Sequence, residues 1–202
     1  MSSPVLWYAT RASGLTALVL LTLTAAMGVF TSTRLTSARW PGVAVQDLHR
    51  RVSLASVTFV VIHVLTSILD SFVHIGWAAV VVPFASSYKR WWVGLGAISL
   101  DLLLAVTVTS LLRHRLAPRF WRAVHWLTYG GWAVAVVHSL GAGTDMRLPW
   151  ARDLAIGCIL VVAASALWRV GYGLDQRRRV ADLPAVRARP EGVGLKHHGG
   201  DL

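Results

Sequence analysis

The sequence predicts an all-α membrane protein: a bundle of five transmembrane helices with its N-terminus outside and its C-terminus in the cytoplasm. Three observations predict it. Hydrophobic residues make up 55% of the 202 and charged residues only 14%, against roughly a quarter in ordinary soluble domains. Five blocks of nearly uninterrupted apolar sequence have spanning length. The basic residues gather between those blocks, and unevenly. Mean hydropathy is +0.56, so a soluble enzyme and a disordered regulator are both excluded. The net charge of +11 would suggest nucleic acid in a soluble domain. Here it follows the loops, as membrane topology demands, and no nucleic-acid partner is expected.

A span needs about 20 apolar residues. Residues 12–32 carry no charge and form the first block. The stretch before them has no basic run and no small-residue cleavage site follows, so this block is expected to stay in the membrane and not to act as a signal peptide. Residues 48–69, apolar after Arg51, form the second. Residues 91–112 form the third, with Asp101 as their one charge. Residues 123–144 form the fourth, uncharged. Residues 154–168 form a short fifth, with Trp150 and Tyr172 as interface anchors. A further block, 71–88, is uncharged too, but it contains Gly76 and Pro83 and leaves no room for a turn after the second span. Charge decides its place. Five spans put 15 basic residues on one side and 5 on the other, whereas a sixth after Asp70 gives 12 and 8. Cytoplasmic loops collect Lys and Arg, so 71–88 is expected as a surface or re-entrant segment on the outer side. After Tyr172 the composition turns to Arg, Gly and Pro. Residues 7–172 are therefore expected as the membrane domain and 173–202 as a basic, flexible cytoplasmic tail, its His197 and His198 without partners. The protein is expected to be multi-pass in the plasma membrane.

Cys158 is the only cysteine. It leaves no disulfide framework, CxxC pair, Cys-ligated iron–sulfur cluster or CxxCH heme attachment. Histidines carry the chemistry instead. Four of the eight fall in spans: His49 and His63 in the second, His125 and His138 in the fourth. Ionisable groups inside a membrane are functional candidates by default. One crossing separates the two spans, so they run in the same direction. The spacings of 14 and 13 residues correspond to about 21 Å and about 20 Å along the axes. His49 then faces His125 near the cytoplasmic side, and His63 faces His138 near the outer side. Histidines on one helix are too far apart to share an ion. Two imidazoles across a planar cofactor describe a bis-histidine heme b, and two such pairs make an electron path through the hydrocarbon layer. Structural histidines and a proton relay remain the alternatives at this point. Fourteen residues leave His49 and His63 about 40° apart on their helix, but thirteen leave His125 and His138 about 140° apart. A bend or change of winding at Gly130–Gly131 is expected to reconcile them.

DLHRRVSLASVTFVVIHVLTSILD (residues 47–70) resembles the first heme helix of the ferric reductase-like transmembrane domain, and RFWRAVHWLTYGGWAVAVVHSLGAGTD (119–145) resembles the second. WYATRASGLTAL (7–18) and SYKRWWVGLGAISLDLLL (87–104) are also similar to bacterial members. That family includes the membrane parts of ferric reductases and NADPH oxidases and the heme-binding subunit of the methionine sulfoxide reductase system. The 14 and 13 spacings match its pattern. The resemblance implies two hemes b, with His49/His125 and His63/His138 as axial ligands of the iron. It implies an electron-transfer subunit of an oxidoreductase, fed by a cytoplasmic reductase or membrane quinol. The acceptors it suggests are a ferric chelate, oxygen or an extracytoplasmic flavin-bearing protein. The chain departs from larger members in having five spans where many have six, and no flavin or nicotinamide domain; no GxGxxG follows a strand pattern. The rivals are a single-heme, quinone-linked cytochrome b and a small histidine-containing transporter or proton channel.

Arg11 and Arg51, and less strongly Arg50 and Arg122, are candidates to hold heme propionates, with topology charge as the plain alternative. Asp101 is expected as a buried aspartate satisfied by a polar neighbour, or as a proton carrier. His74 is an outer-surface candidate for binding an acceptor or iron. Trp126, Tyr129 and Trp132 are expected either to pack on the cofactors or to fill the core.

Overall fold

The computed structural model describes residues 4–32, 42–70 and 75–181. It is all-helical among these: α1 (Pro4–Ser32), α2 (Gly42–Leu69), α3 (Ala78–Val81), α4 (Arg90–Leu111), α5 (Pro118–Ala142), a 3-10 turn (Thr144–Arg147) and α6 (Pro149–Ala181). Four of them, α1, α2, α4 and α6, are long and apolar enough to cross a membrane. α5 matches the expected fourth span in place and runs 25 residues, but it is not among those four. Its histidines, glycines and Tyr129 dilute the apolar run.

Small residues put α1 at the centre. Ala17, Ala25, Ala26 and Val29 are buried on it, which lets α2, α5 and α6 pack against it. Two of its buried hydroxyls bond back along the helix, Thr22 Oγ1 to the Leu18 carbonyl at 2.8 Å and Ser13 Oγ to the Ala9 carbonyl at 2.6 Å, which satisfies them without water. α4 and α5 form the second close pair. Gly131 is buried there against Leu102, and Ser99 Oγ donates to the Gly131 carbonyl at 3.0 Å. Leu18, Val136 and Cys158 make the core where α1, α5 and α6 meet, with Trp132 alongside. Trp132 Nε1 donates to Thr22 Oγ1 at 2.9 Å.

Three expectations are corrected. α5 is helical without interruption through Gly130 and Gly131, where a bend or change of winding was expected; Gly131 serves the close approach of α4, and a Cβ on Gly130 would meet nothing within 4 Å. α6 continues to Ala181, with Arg179 Nε bonded to Asp175 at 2.8 Å, so 173–181 are helix where a flexible tail was expected; i,i+4 ion pairs support such an exposed extension. Asp101 is exposed, with no hydrogen bond or ion pair among the described residues, where a satisfied buried aspartate was expected. His74 and the tail beyond Ala181 lie outside the described residues.

Residues 75–89, before α4, fold over one end of the bundle, with Ile75, Ala79, Val80 and Tyr88 facing its interior. α3 is too short to be a span and packs on α4. Phe84 sits in the left-handed region at φ 65° and presses its ring on Gly94. Lys89, at φ 38°, turns the chain into α4. Its ammonium donates to the Ala142 carbonyl at 3.1 Å, satisfying the exposed end of α5 as a cation there should.

Candidate functional site

α2 and α5 barely touch. α1 stands behind one and α4 behind the other, and a cavity of about 340 Å³ separates the two pairs. α2 and α5 both end at the level of this cavity, so they run in the same direction. His63 and His138 reach it from opposite walls. Their ring centroids are 6.3 Å apart and the rings are inclined at 76°.

Each ring is held from behind by a backbone carbonyl. His63 Nδ1 lies 2.8 Å from the Thr10 carbonyl of α1, and His138 Nδ1 lies 2.7 Å from the Trp92 carbonyl of α4. A carbonyl only accepts, so both Nδ1 atoms carry a proton, and in the neutral rings both Nε2 atoms keep a lone pair. Glycine makes the approach possible. A Cβ on Gly14 would stand 2.9 Å from His63 Nδ1, and one on Gly96 would stand 2.8 Å from His138 Cε1. These glycines had no role in the sequence reading; their positions four residues after Thr10 and after Trp92 are the signal that was there to find.

The walls are apolar, with Leu15, Leu18, Val64 and Leu100 among them, and the polar groups collect at one end. There Arg11 pairs with Asp145 and stacks on Trp7, its guanidinium carbon 3.4 Å from the ring centroid. Both partners are mostly shielded, with side chains 20% and 16% exposed. Buried Asp70 lines the same end.

The other two histidines sit at the opposite end of the helices. His49 and His125 are within electrostatic reach of each other. The Cε1 of His49 lies 3.8 Å from the place of a Cβ on Gly28 of α1, and His125 stacks on Trp121 at 5.1 Å. Their Nδ1 atoms are buried without a well-formed hydrogen bond, and neither ring lines the large cavity. Arg51 is exposed and pairs with Asp47 on its own helix at 2.7 Å; Arg50 and Arg122 are exposed too. Trp126 is exposed under Arg169, whose guanidinium carbon is 4.3 Å from its ring, and Tyr129 lies beside it.

Among the described residues no three His, Cys, Asp or Glu side chains gather as a metal site would need. The chemistry on offer is that of pairs: two neutral imidazoles, lone pairs available, at fixed separation in an apolar cleft. This defines an all-helical protein with helices of membrane length and a paired-histidine cleft. The chain belongs to a domain family of unknown function, DUF8596, whose model matches residues 5–145 and so takes in all four histidines, Arg11 and Asp145. No curated protein and no solved structure matches it.

Proposed function

We propose that the protein is a b-type cytochrome that passes single electrons between the two faces of a membrane, as the membrane subunit of an oxidoreductase. The separation of 6.3 Å between the His63 and His138 rings carries this reading. With metal–nitrogen bonds of about 2 Å and ring centres about 1 Å beyond the nitrogens, two imidazoles axial to one metal have centroids about 6 Å apart. The donor set is the one heme iron accepts. The cavity falls within the range of cofactor sites, roughly 300–1,000 Å³, and its apolar walls suit a porphyrin. The residues fit the group.

When bound, heme supplies a reversible one-electron change at its iron. The chain's part is to hold both rings in one tautomer through the Thr10 and Trp92 carbonyls, and to keep water out with the leucines and valines of the wall. Arg11 is the cation available to a propionate, in competition with Asp145. In the full reading His49 and His125 hold a second heme, which the resemblance to ferric reductase-like domains supports. α5 then counts as a span and brings the number to five, the 15 basic residues of the favoured side lie in the cytoplasm, and the membrane is the plasma membrane. Electrons run outward from a cytoplasmic reductase or quinol to a ferric chelate, oxygen or a flavin-bearing extracytoplasmic protein. No flavin or nicotinamide unit is needed in the chain itself.

A reduced-minus-oxidised spectrum with a pyridine hemochrome count on the purified chain tests this. Two hemes per chain are expected, and His63→Ala and His138→Ala should each remove the same one. Protein expressed with ample heme but lacking a Soret band would overturn the proposal. A second reading, one heme beside a quinone pocket, is favoured by the Nδ1 atoms of the inner pair, which lack a well-formed hydrogen bond. It requires a count of one, unchanged in His49→Ala.

A further inference from the structure

Asp101 lies at the middle of α4, eleven residues from Arg90 and ten from Leu111, or about 16 Å and about 15 Å along the axis. Its side chain is exposed and unpartnered among the described residues. The other sides of α4 are occupied. Gly94 is covered by Phe84, Leu102 and Ser99 meet α5, and Val93, Gly96 and Leu100 line the cavity. The side that carries Asp101 is bare, and its other exposed residues, Leu104, Ala105, Val108 and Leu112, are apolar. A carboxyl group aimed at lipid at mid-depth is costly, and such groups face other protein or water.

We propose that this face of α4 is a two-fold contact between two copies of the chain, with Asp101 of one copy hydrogen-bonded to Asp101 of the other. The reasoning is one of complementarity. Among the described residues, every Lys and Arg lies at or beyond the edge of an apolar block, Arg51 entering the second and Arg169 following the fifth, and His63 and His138 face the cavity. A second copy therefore has no cation to offer at this depth, but it has the same carboxyl. Once protonated, a carboxyl both donates and accepts, so it is its own complement across a two-fold axis, where a residue meets its own copy. Ala105, one turn further along, is the small residue that lets two membrane helices approach closely. The contact involves none of the histidines and stands or falls apart from the heme reading.

Cysteine cross-linking of the full chain in native membranes tests this, in a Cys158→Ser background. Ala105→Cys should give a disulfide-linked dimer and Leu102→Cys, facing α5, should not. Adding Asp101→Leu to Ala105→Cys should lower the cross-linked fraction about ten-fold, the scale of one polar contact between membrane helices. Asp101→Asn, whose amide also donates and accepts, should preserve it and guards against a folding defect. Absence of cross-linking at Ala105 with a monomeric mass for the unsubstituted chain in mild detergent overturns the proposal and leaves this face to a different protein. Cross-linking unaffected by Asp101→Leu overturns it as well.

Discussion

Replacing Gly96 by alanine would test the site more sharply than deleting a histidine, because it leaves both imidazoles in the chain. The new Cβ would stand 2.8 Å from Cε1, 2.9 Å from Nδ1 and 3.3 Å from Nε2 of His138. Carbon contacts settle at about 3.5–4.0 Å, so the ring must retreat by about 1 Å. The 2.7 Å bond from Nδ1 to the Trp92 carbonyl would then stretch beyond hydrogen-bond range. Loss of that bond costs about 1 kcal/mol and the crowding about 1–3 kcal/mol. The ring would also leave the separation that suits one metal ion. Partners that orient a ligating histidine are worth about 10–100-fold in metal affinity. Gly96→Ala should therefore weaken retention of the outer heme by that factor and convert part of it from low to high spin, seen by heme titration and visible spectra. Gly157→Ala, where a Cβ meets nothing within 4 Å, is the control. A Gly96→Ala protein with heme content and spin state equal to the control would refute the reasoning.

The ion pairs should separate by burial. Asp145→Asn removes the partner of a shielded Arg11 and should lower stability by about 1.5–3 kcal/mol, the range for a hydrogen bond to a charged group; Asp47→Asn, which frees the exposed Arg51, should cost less than about 1 kcal/mol. Thermal unfolding in detergent compares the two. Ser99→Ala, which removes the only hydroxyl bonded to the Gly131 carbonyl by the described contacts, should cost about 1 kcal/mol in the same assay, with no change in heme count. Exchanging neighbours on α5, as Val124→His with His125→Val, turns the inner ring by about 100°; it should abolish one of the two hemes and leave the one that depends on His63, as a hemochrome count would show.

What the sequence made legible was whatever a one-dimensional pattern encodes. Long apolar runs located α1, α2, α4 and α6, because burial in lipid asks only for length and hydropathy. The uneven count of basic residues, with the Gly76 and Pro83 breaks beside it, kept 71–88 from being read as a span, and α3 is four residues long. The four membrane histidines stood out because such residues are expensive where they lie. What the sequence hid depends on which helix stands behind which. Gly14 and Gly96 are two among 17 glycines until α1 is seen behind His63 and α4 behind His138. Arg11 found Asp145, a carboxylate 134 positions away, that no local rule connects to it. Arg51 looked equivalent on paper, yet its partner is Asp47 one turn away. The end of α6 was missed because arginine-rich composition signals disorder only when the preceding helix stops, and here it does not.

The two histidines of α5 show how the architecture resolves a conflict that periodicity alone poses. At 13 residues apart they leave an unbroken helix about 140° from each other, so a single flat wall cannot present both. The bundle supplies two walls. His138 emerges on the α4 side, where Gly96 makes room and the Trp92 carbonyl fixes the ring. His125 emerges elsewhere and is steadied by stacking on Trp121 of its own helix. On α2 the histidines are about 40° apart and one neighbour serves both, α1, with Gly14 at one level and Gly28 at the other. The 14 and 13 spacings are thus not two versions of one rule. They reflect that α2 leans on one helix along its whole length, while α5 is backed by α4 at one histidine and by its own Trp121 at the other. The unequal finish of the two sites follows: His63 and His138 each have a carbonyl in firm hydrogen-bond contact behind the ring, whereas the Nδ1 atoms of His49 and His125 make no well-formed bond.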